Sequence, residues 1–384
     1  MRFLLALFVL LAATPVLAGP LPSPAGIDAE VGRQMAATGT KGLAVAVIDG
    51  GKVRYVQAYG VRNAKGEPLT PQTVMYGASL TKAVFAYTVM QLVDEKTVDL
   101  DTSIAAYLKK PLPDYTGFGD EYAPYEDLAG DERWRKITPR ILFTHSAGFN
   151  NYFFLNPDGR LKIFFEPGSR YAYSGDGMIL MQFVLEQGLG LKVGDEMQRR
   201  VFDRLGMRTT SMMWRPDFAA NLADGWDTDG DAHPHDERSR VRASGSMDTT
   251  IADMARFAAA LSRGRGLSRA AYAEMTRPIL PITTHSQFLP LQPELPPDQR
   301  RPDLAAGLGV VTFQGPQGAG FYKGGHDDIT GNMMVCLKAR KACVVLLSND
   351  VRAEKAYPAL VKFILGETGM PWDWEYGFAP ARAQ

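Results

Sequence analysis

The sequence holds one Ser-x-x-Lys, Ser79-Leu80-Thr81-Lys82, at the start of an apolar, helix-forming stretch. Residues three apart share a helix face, so the hydroxyl and the amine can meet there. A helix N-terminus favours a developing anion, and burial lowers a lysine pKa enough to let the amine take a proton. That combination suits an activated serine attacking a carbonyl carbon. The pair alone is a weak signal. With 14 serines and 15 lysines in 384 residues, a shuffled chain would carry one roughly every second time.

The elements that must position this pair follow from periodicity. Residues 25–38 read as a surface helix. The apolar run Gly42 to Ile48, the turn Asp49-Gly50-Gly51 and the run Val53 to Tyr59 read as a hairpin. A helix runs from about Ser79 to Glu95, and further helical patterns lie at 138–144, 176–188, 193–204 and 250–262. Residues 109–135 form an irregular insertion, and 277–303, with seven prolines, a long surface loop. Residues 307–348 are rich in strands, and 353–365 is a closing helix. Strands at both ends with helices between predict an α/β (α+β) fold: an antiparallel β-sheet flanked by helices, with an inserted all-helical lobe. The sheet lobe takes in about 25–78 and 240–368, and the helical lobe about 79–239. Together they make a catalytic domain over 19–370, with 371–384 as a C-terminal tail.

Met1-Arg2, the apolar run Phe3 to Ala13 and the small residues before Gly19 read as a secretory signal peptide, 1–18. No later stretch is long and apolar enough to span a bilayer, so the expectation is an exported chain without an integral membrane segment after cleavage. It would be periplasmic in a Gram-negative source. Lys plus Arg and Asp plus Glu number 42 each, which argues against nucleic acid as a partner. The two cysteines, Cys336 and Cys343, flank the polar tip Lys338 to Lys341. A two-residue turn at Ala339-Arg340 sets them opposite each other, and export permits oxidation. Register alone does not guarantee bonding geometry, so a disulfide stays open. The segment Asp227 to His235 lacks the glycine position of a calcium loop and the companions of a zinc site. It reads as a polar loop.

The segment Tyr76-Gly-Ala-Ser79-Leu-Thr-Lys82 resembles the nucleophile helix of the serine β-lactamase and penicillin-binding-protein superfamily. Later segments resemble its class C and family VIII esterase branch in the same order: Ile137 to Phe149, Glu166 to Gly175, Val201 to Met207, Ser246 to Phe257, and Gly324-Gly325-His326 with Thr330-Gly331. The likeness spans about residues 40–350. It implies Ser79 as acylated nucleophile, Lys82 as its proton partner and Tyr173 as general base, its phenol pKa lowered by nearby ammonium charge. The oxyanion would be held by the N–H groups of Ser79 and Ile329. No metal or cofactor is implied. Substrates would be small molecules or peptides with an amide or ester carbonyl, cell-wall peptide among them.

Two positions depart from the family pattern. Gly175 stands where an asparagine usually helps hold the substrate amide, which argues against efficient β-lactam turnover. After His326 the expected glycine gives way to Asp327-Asp328. If Asp328 points inward, it repels a substrate carboxylate and favours neutral or cationic groups. A second register, with Lys323-Gly324-Gly325 as the third motif, spaces less well to Thr330-Gly331. The leading reading is a penicillin-binding D-amino-acid peptidase or amidase, followed by a carboxylesterase and then a β-lactamase. A non-catalytic binding relative is the alternative of another class.

Overall fold

A computed structural model describes residues 19–118 and 120–377. The leader read at 1–18 lies outside the described residues, as do 378–384. Eight strands form one sheet: β1 (Gly42–Asp49), β2 (Lys52–Gly60), β3 (Leu280–Pro281), β4 (Leu304–Ala306), β5 (Val311–Gly315), β6 (Gly318–His326), β7 (Gly331–Leu337) and β8 (Ala342–Ser348). Their spatial order is β2-β1-β8-β7-β6-β5-β4-β3, and every neighbouring pair is antiparallel. The β1–β8 ladder, with Val45 opposite Leu346, joins the N-terminal hairpin to the C-terminal strands.

The unbroken apolar run in β1 follows from burial of both sheet faces, since successive side chains point to opposite sides. Leu43, Val45 and Val47 pack with Ile27 and Val31 of helix α1 (Pro24–Thr38). Ala44, Ala46 and Ile48 face the other layer, which contains α2 (Leu80–Asp94), α3 (Gly175–Phe183) and α4 (Ile251–Leu261). Each buried Val or Leu contributes about 2 kcal/mol by leaving water. Every α2 residue from Leu80 to Leu92 is buried, as expected for a helix that is apolar all round.

The C-terminus differs from the expected pattern. The closing helix α5 (Tyr357–Leu365) begins only after a 3-10 turn, Val351–Ala356, with Pro358 in its first turn, where a missing N–H costs nothing. The expected tail at 371–384 instead opens with a short helix, α6 (Trp372–Tyr376). Trp374 is buried, lies 5.7 Å from the Tyr171 ring, and accepts a backbone bond from Gln287 N–H at 3.0 Å. Apolar burial rather than helical periodicity holds this segment down. Among the described residues no helix is long and apolar enough to cross a membrane.

Cys336 and Cys343 face each other across β7 and β8 and are disulfide-bonded. Lys341 N–H donates to Lys338 O at 3.2 Å, closing the turn over Ala339-Arg340. The loop is short, so replacing both cysteines by alanine should cost on the order of 2 kcal/mol by the loop-entropy estimate, read as a lower urea midpoint. Iodoacetamide should leave the mass of the unfolded chain unchanged until a reductant is added. Alkylation without reductant would show that the thiols are free.

Candidate active site

Ser79 caps the N-terminus of α2. The residue before it, Ala78, has φ +46°, a left-handed conformation that costs a residue with a Cβ about 1 kcal/mol. The turn is tied down by Leu80 N–H to Gly77 O and Thr81 N–H to Ala78 O, both 3.1 Å. One turn into α2, Lys82 Nζ donates to Ser79 Oγ at 2.8 Å and to Ser244 O at 2.5 Å. From the extended segment just before α3, the Tyr173 hydroxyl donates to Ser79 Oγ, also at 2.8 Å. Ser79, Lys82 and Tyr173 therefore converge within hydrogen-bond distance.

The third motif lies in the other register. Lys323, not His326, reaches the Tyr173 hydroxyl, at 3.5 Å, and also donates to Gly324 O at 2.5 Å. Two lysine side chains approach the Tyr173 ring, with Lys82 Nζ 5.0 Å and Lys323 Nζ 5.2 Å from its centre. Gly325 faces the nucleophile turn. A Cβ there would stand 2.7 Å from Leu80 N and 2.9 Å from Ser79 N and Gly77 O. His326 does line the cavity, yet its ring is turned to Glu354, with Nδ1 2.9 Å from Oε1.

Two further expectations need correction. Ile329 N–H is bonded to Asp327 Oδ1 at 3.0 Å, and the Ile329 side chain packs where a Cβ on Gly225 would stand. It lies beyond the end of β6, away from Ser79, and its N–H is already spent. Asp328 is exposed and does not line the cavity; Asp327 does. Both errors come from extending the strand past His326, where the chain turns toward β7.

Gly175 opens α3 without a side chain, and Tyr152 takes the space. A Cβ on Gly175 would stand 2.5 Å from Tyr152 Cε1 and 2.8 Å from its hydroxyl. The cavity of about 190 Å³ around Ser79 is lined by Tyr152 and Tyr173 on one side and by Lys323 to Asp327 on the other. Ser244, Phe288 and Glu375 add to its wall. Lys323, Ser244 and Glu375 were not among the residues singled out for the site, and of these only Lys323 carried a sequence signal, in the second register.

Electrostatics correct one expected role. Burial, reinforced by the Lys323 charge, drives the Lys82 pKa well below that of a free lysine. Burial brings Lys323 down to about 8, with Glu375 partly opposing the shift. Tyr173 is not lowered as expected. Burial pushes it well above an ordinary phenol, with only the Ser79 bond pulling the other way. Lys82 loses its own charge to desolvation, so it cannot draw the Tyr173 proton off. His145, also neutralised by burial and then by the two lysines, accepts Ser174 N–H at Nδ1 at 3.1 Å. Its ring lies 4.6 Å from that of Tyr173 and helps fix the phenol's position.

Among the described residues no cluster of three or more His, Cys, Asp or Glu is placed to hold a metal ion. Asp227 closes its own loop. Its Oδ1 accepts the N–H groups of Asp229, Gly230 and Asp231 at 2.9–3.0 Å.

An antiparallel sheet between helical layers, with a serine, two lysines and a tyrosine clustered at one cavity, defines a serine-hydrolase type of fold. The Beta-lactamase family model matches residues 27–365, and the chain belongs to that family, whose members are serine hydrolases. It is 28% identical to a lovastatin esterase of Penicillium rubens, a match covering 44% of this chain and 48% of that protein. It is 26% identical to a D-aminopeptidase of Gluconobacter oxydans, a match covering 43% of this chain and 31% of that protein. The chain thus spans half or less of the length of these curated relatives. A penicillin-binding protein of Bacillus halodurans superposes with TM-score 0.66 at 20% identity, over 86% of this chain and 98% of that one. A class C beta-lactamase gives 0.68 at 17%, over 88% and 94%. At these identities the likeness to the solved structures is one of fold.

The approach of β6 to the nucleophile turn yields a prediction. In Gly325→Ala the new methyl group meets backbone that cannot swing away, so β6 and Ser79 must part by a fraction of an ångström. We expect kcat/KM on a reactive ester to fall roughly 100-fold while circular dichroism and the melting temperature stay near wild type. Full activity in the folded variant would show that this contact does not position Ser79.

Proposed function

We propose that this chain is an exported serine hydrolase that works through an acyl-enzyme at Ser79, acting first on D-amino-acid peptides or amides. The observation that carries the reading is that Lys82 Nζ and the Tyr173 hydroxyl each lie at hydrogen-bond distance, 2.8 Å, from Ser79 Oγ. Lys82, held neutral, takes the Ser79 proton as Oγ bonds to the substrate carbonyl carbon. Tyr173, held protonated, gives its proton to the leaving amine or alkoxide as the scissile bond breaks. The phenolate left behind is stabilised by the Lys323 ammonium. In the second half, water gives a proton to Tyr173 and its hydroxide attacks the ester. Ser79 Oγ leaves with the proton stored on Lys82.

For the oxyanion, the N–H of Ser79 is one donor, and the backbone at Gly325-His326 takes the place first given to Ile329. The amidase reading is supported by the likeness to a D-aminopeptidase and by the fold shared with penicillin-binding proteins. An esterase is the second reading, favoured by the lovastatin esterase relative and by Gly175 in place of an amide side chain. Export rests on the leader read at residues 1–18, and the Cys336–Cys343 bond accords with an oxidising compartment. A non-catalytic role is disfavoured because Ser79, Lys82 and Tyr173 are kept in reach of one another.

A panel of p-nitrophenyl acetate, D-alanine p-nitroanilide and benzylpenicillin, each with a Ser79→Ala control, tests the reading. Turnover of the ester or anilide is expected in wild type and absent in Ser79→Ala. Equal turnover in both proteins would overturn it. The lysines add a pH signature. The neutral amine of Lys82 makes kcat/KM rise as pH increases through its lowered pKa. Loss of the Lys323 charge makes it fall through about 8. In Lys323→Arg the charge persists far above that pH, so the alkaline limb should disappear. A limb that stays near pH 8 in that variant would assign it to another group.

A further inference from the structure

The third-motif strand lacks a side chain at Gly324, and a Cβ there would run into Glu375 Oε1. Glu375 comes from α6, at the far end of the chain, and enters the wall of the Ser79 cavity. It is held firmly. Its N–H donates to Pro371 O at 3.0 Å, and the neighbouring Trp374 is buried, with Nε1 donating to Thr284 Oγ1 at 3.3 Å. The side chain is 2% exposed and, among the described residues, is in no ion pair. Lys323 acts on it electrostatically but spends its bonds on Gly324 O and Tyr173. Burial raises the Glu375 pKa above the usual carboxylate range, with the Lys323 and His326 charges opposing the shift, and the nearby Tyr322 hydroxyl makes no hydrogen bond of normal geometry. Oε2 has no hydrogen bond of normal geometry.

The rest of the cavity wall reinforces this polarity. Asp327 adds a second carboxylate, and His326 is matched by Glu354 behind it. Arg238, on the far side of Tyr76, is stacked 3.4 Å from that ring and bonded to Asp248 at 3.3 Å. Among the described residues no arginine lines the cavity. A substrate carboxylate would meet two carboxylates and one lysine already engaged with Tyr173. A substrate ammonium would meet a preplaced, dehydrated acceptor, and a carboxylate accepts such a donor in a short, charge-assisted bond.

We infer that Glu375, brought to the site by the C-terminal helix, is the anionic subsite that recognises a free ammonium group on the acyl donor, so that the enzyme acts on amines such as aminoacyl amides and esters rather than on peptides read by their terminal carboxylate. This rests on the acyl-enzyme reading above and specifies its substrate class.

Binding is measured without chemistry, by calorimetry on Ser79→Ala protein, with D-alaninamide against N-acetyl-D-alaninamide. The free amine is expected to bind at least about tenfold more tightly, and Ser79→Ala/Glu375→Gln should lose that preference. Equal affinity of the two ligands for Ser79→Ala protein overturns the inference even if the double variant fails to fold. So does a preference that survives Glu375→Gln. In wild type, kcat/KM for the p-nitroanilide of D-alanine over its N-acetyl form should show the same preference, and Glu375→Gln should reduce that ratio at least about tenfold. An equal fall for both substrates would mean that Glu375 only tunes Lys323, and it contradicts the recognition role. Turnover that persists in Ser79→Ala would instead strike at the acyl-enzyme reading, leaving the calorimetric result to decide on Glu375.

Discussion

Two lysines buried against one tyrosine are the constraint on which the site depends. Neither ammonium is well solvated, and each charge raises the cost of the other. The outcome is a division of labour set by position. Lys82, deepest and beside Ser79, is driven furthest toward the free amine. Lys323, with Glu375 in its surroundings, keeps more of its charge. Tyr173 stays protonated beside them. In the proposed mechanism a base, an acid and a stabilising cation thus come from three residues that would be charged, neutral and charged in water. The surrounding fold serves to hold this arrangement dry. Helix α2 supplies Ser79 and Lys82, the edge of the helical lobe supplies Tyr173, and β6 brings Lys323. The backbone contact at Gly325 sets the strand against the nucleophile turn.

Two glycines shape what the cavity can accept. At Gly175 and Gly324 the chain omits side chains, and in each case a residue from elsewhere fills the gap, Tyr152 in one and Glu375 in the other. Neither space is left as an opening. One becomes an aromatic wall and the other an acidic one, while Ser79, Lys82 and Tyr173 stay within reach of one another. The last helix of the described residues, α6, thereby joins the wall of the candidate site. The chain end needs Trp374 and its partners on Tyr171 and Thr284 to keep Glu375 there.

Much of the architecture was legible because its signals are local. The continuous apolar run Gly42 to Ile48 announces a strand covered on both faces, and the order of motifs around Ser79, Lys82 and Tyr173 announces the cavity. Contacts that depend on tertiary packing were less visible. Gly324-Gly325-His326 can be read in two registers, and only the pairing of β6 with β7, Lys323 opposite Met334, brings Lys323 to Tyr173. Asp328 and Ile329 were misplaced because the turn after His326 leaves no period to follow. The Tyr173 pKa was misjudged because proximity to lysine is visible in a motif and loss of charge by burial is not. Glu375 carried no signal, since nothing near it in sequence shows that Gly324 lies beside it.

The most direct test is the mass of the intact protein after brief exposure to an excess of a p-nitrophenyl ester, followed by peptide mapping. Wild-type protein is expected to carry one acyl group on the peptide containing Ser79, forming faster as pH rises toward neutrality, and Ser79→Ala protein none. An acyl group on another residue, or an unchanged adduct in Ser79→Ala, would contradict Ser79 as the nucleophile.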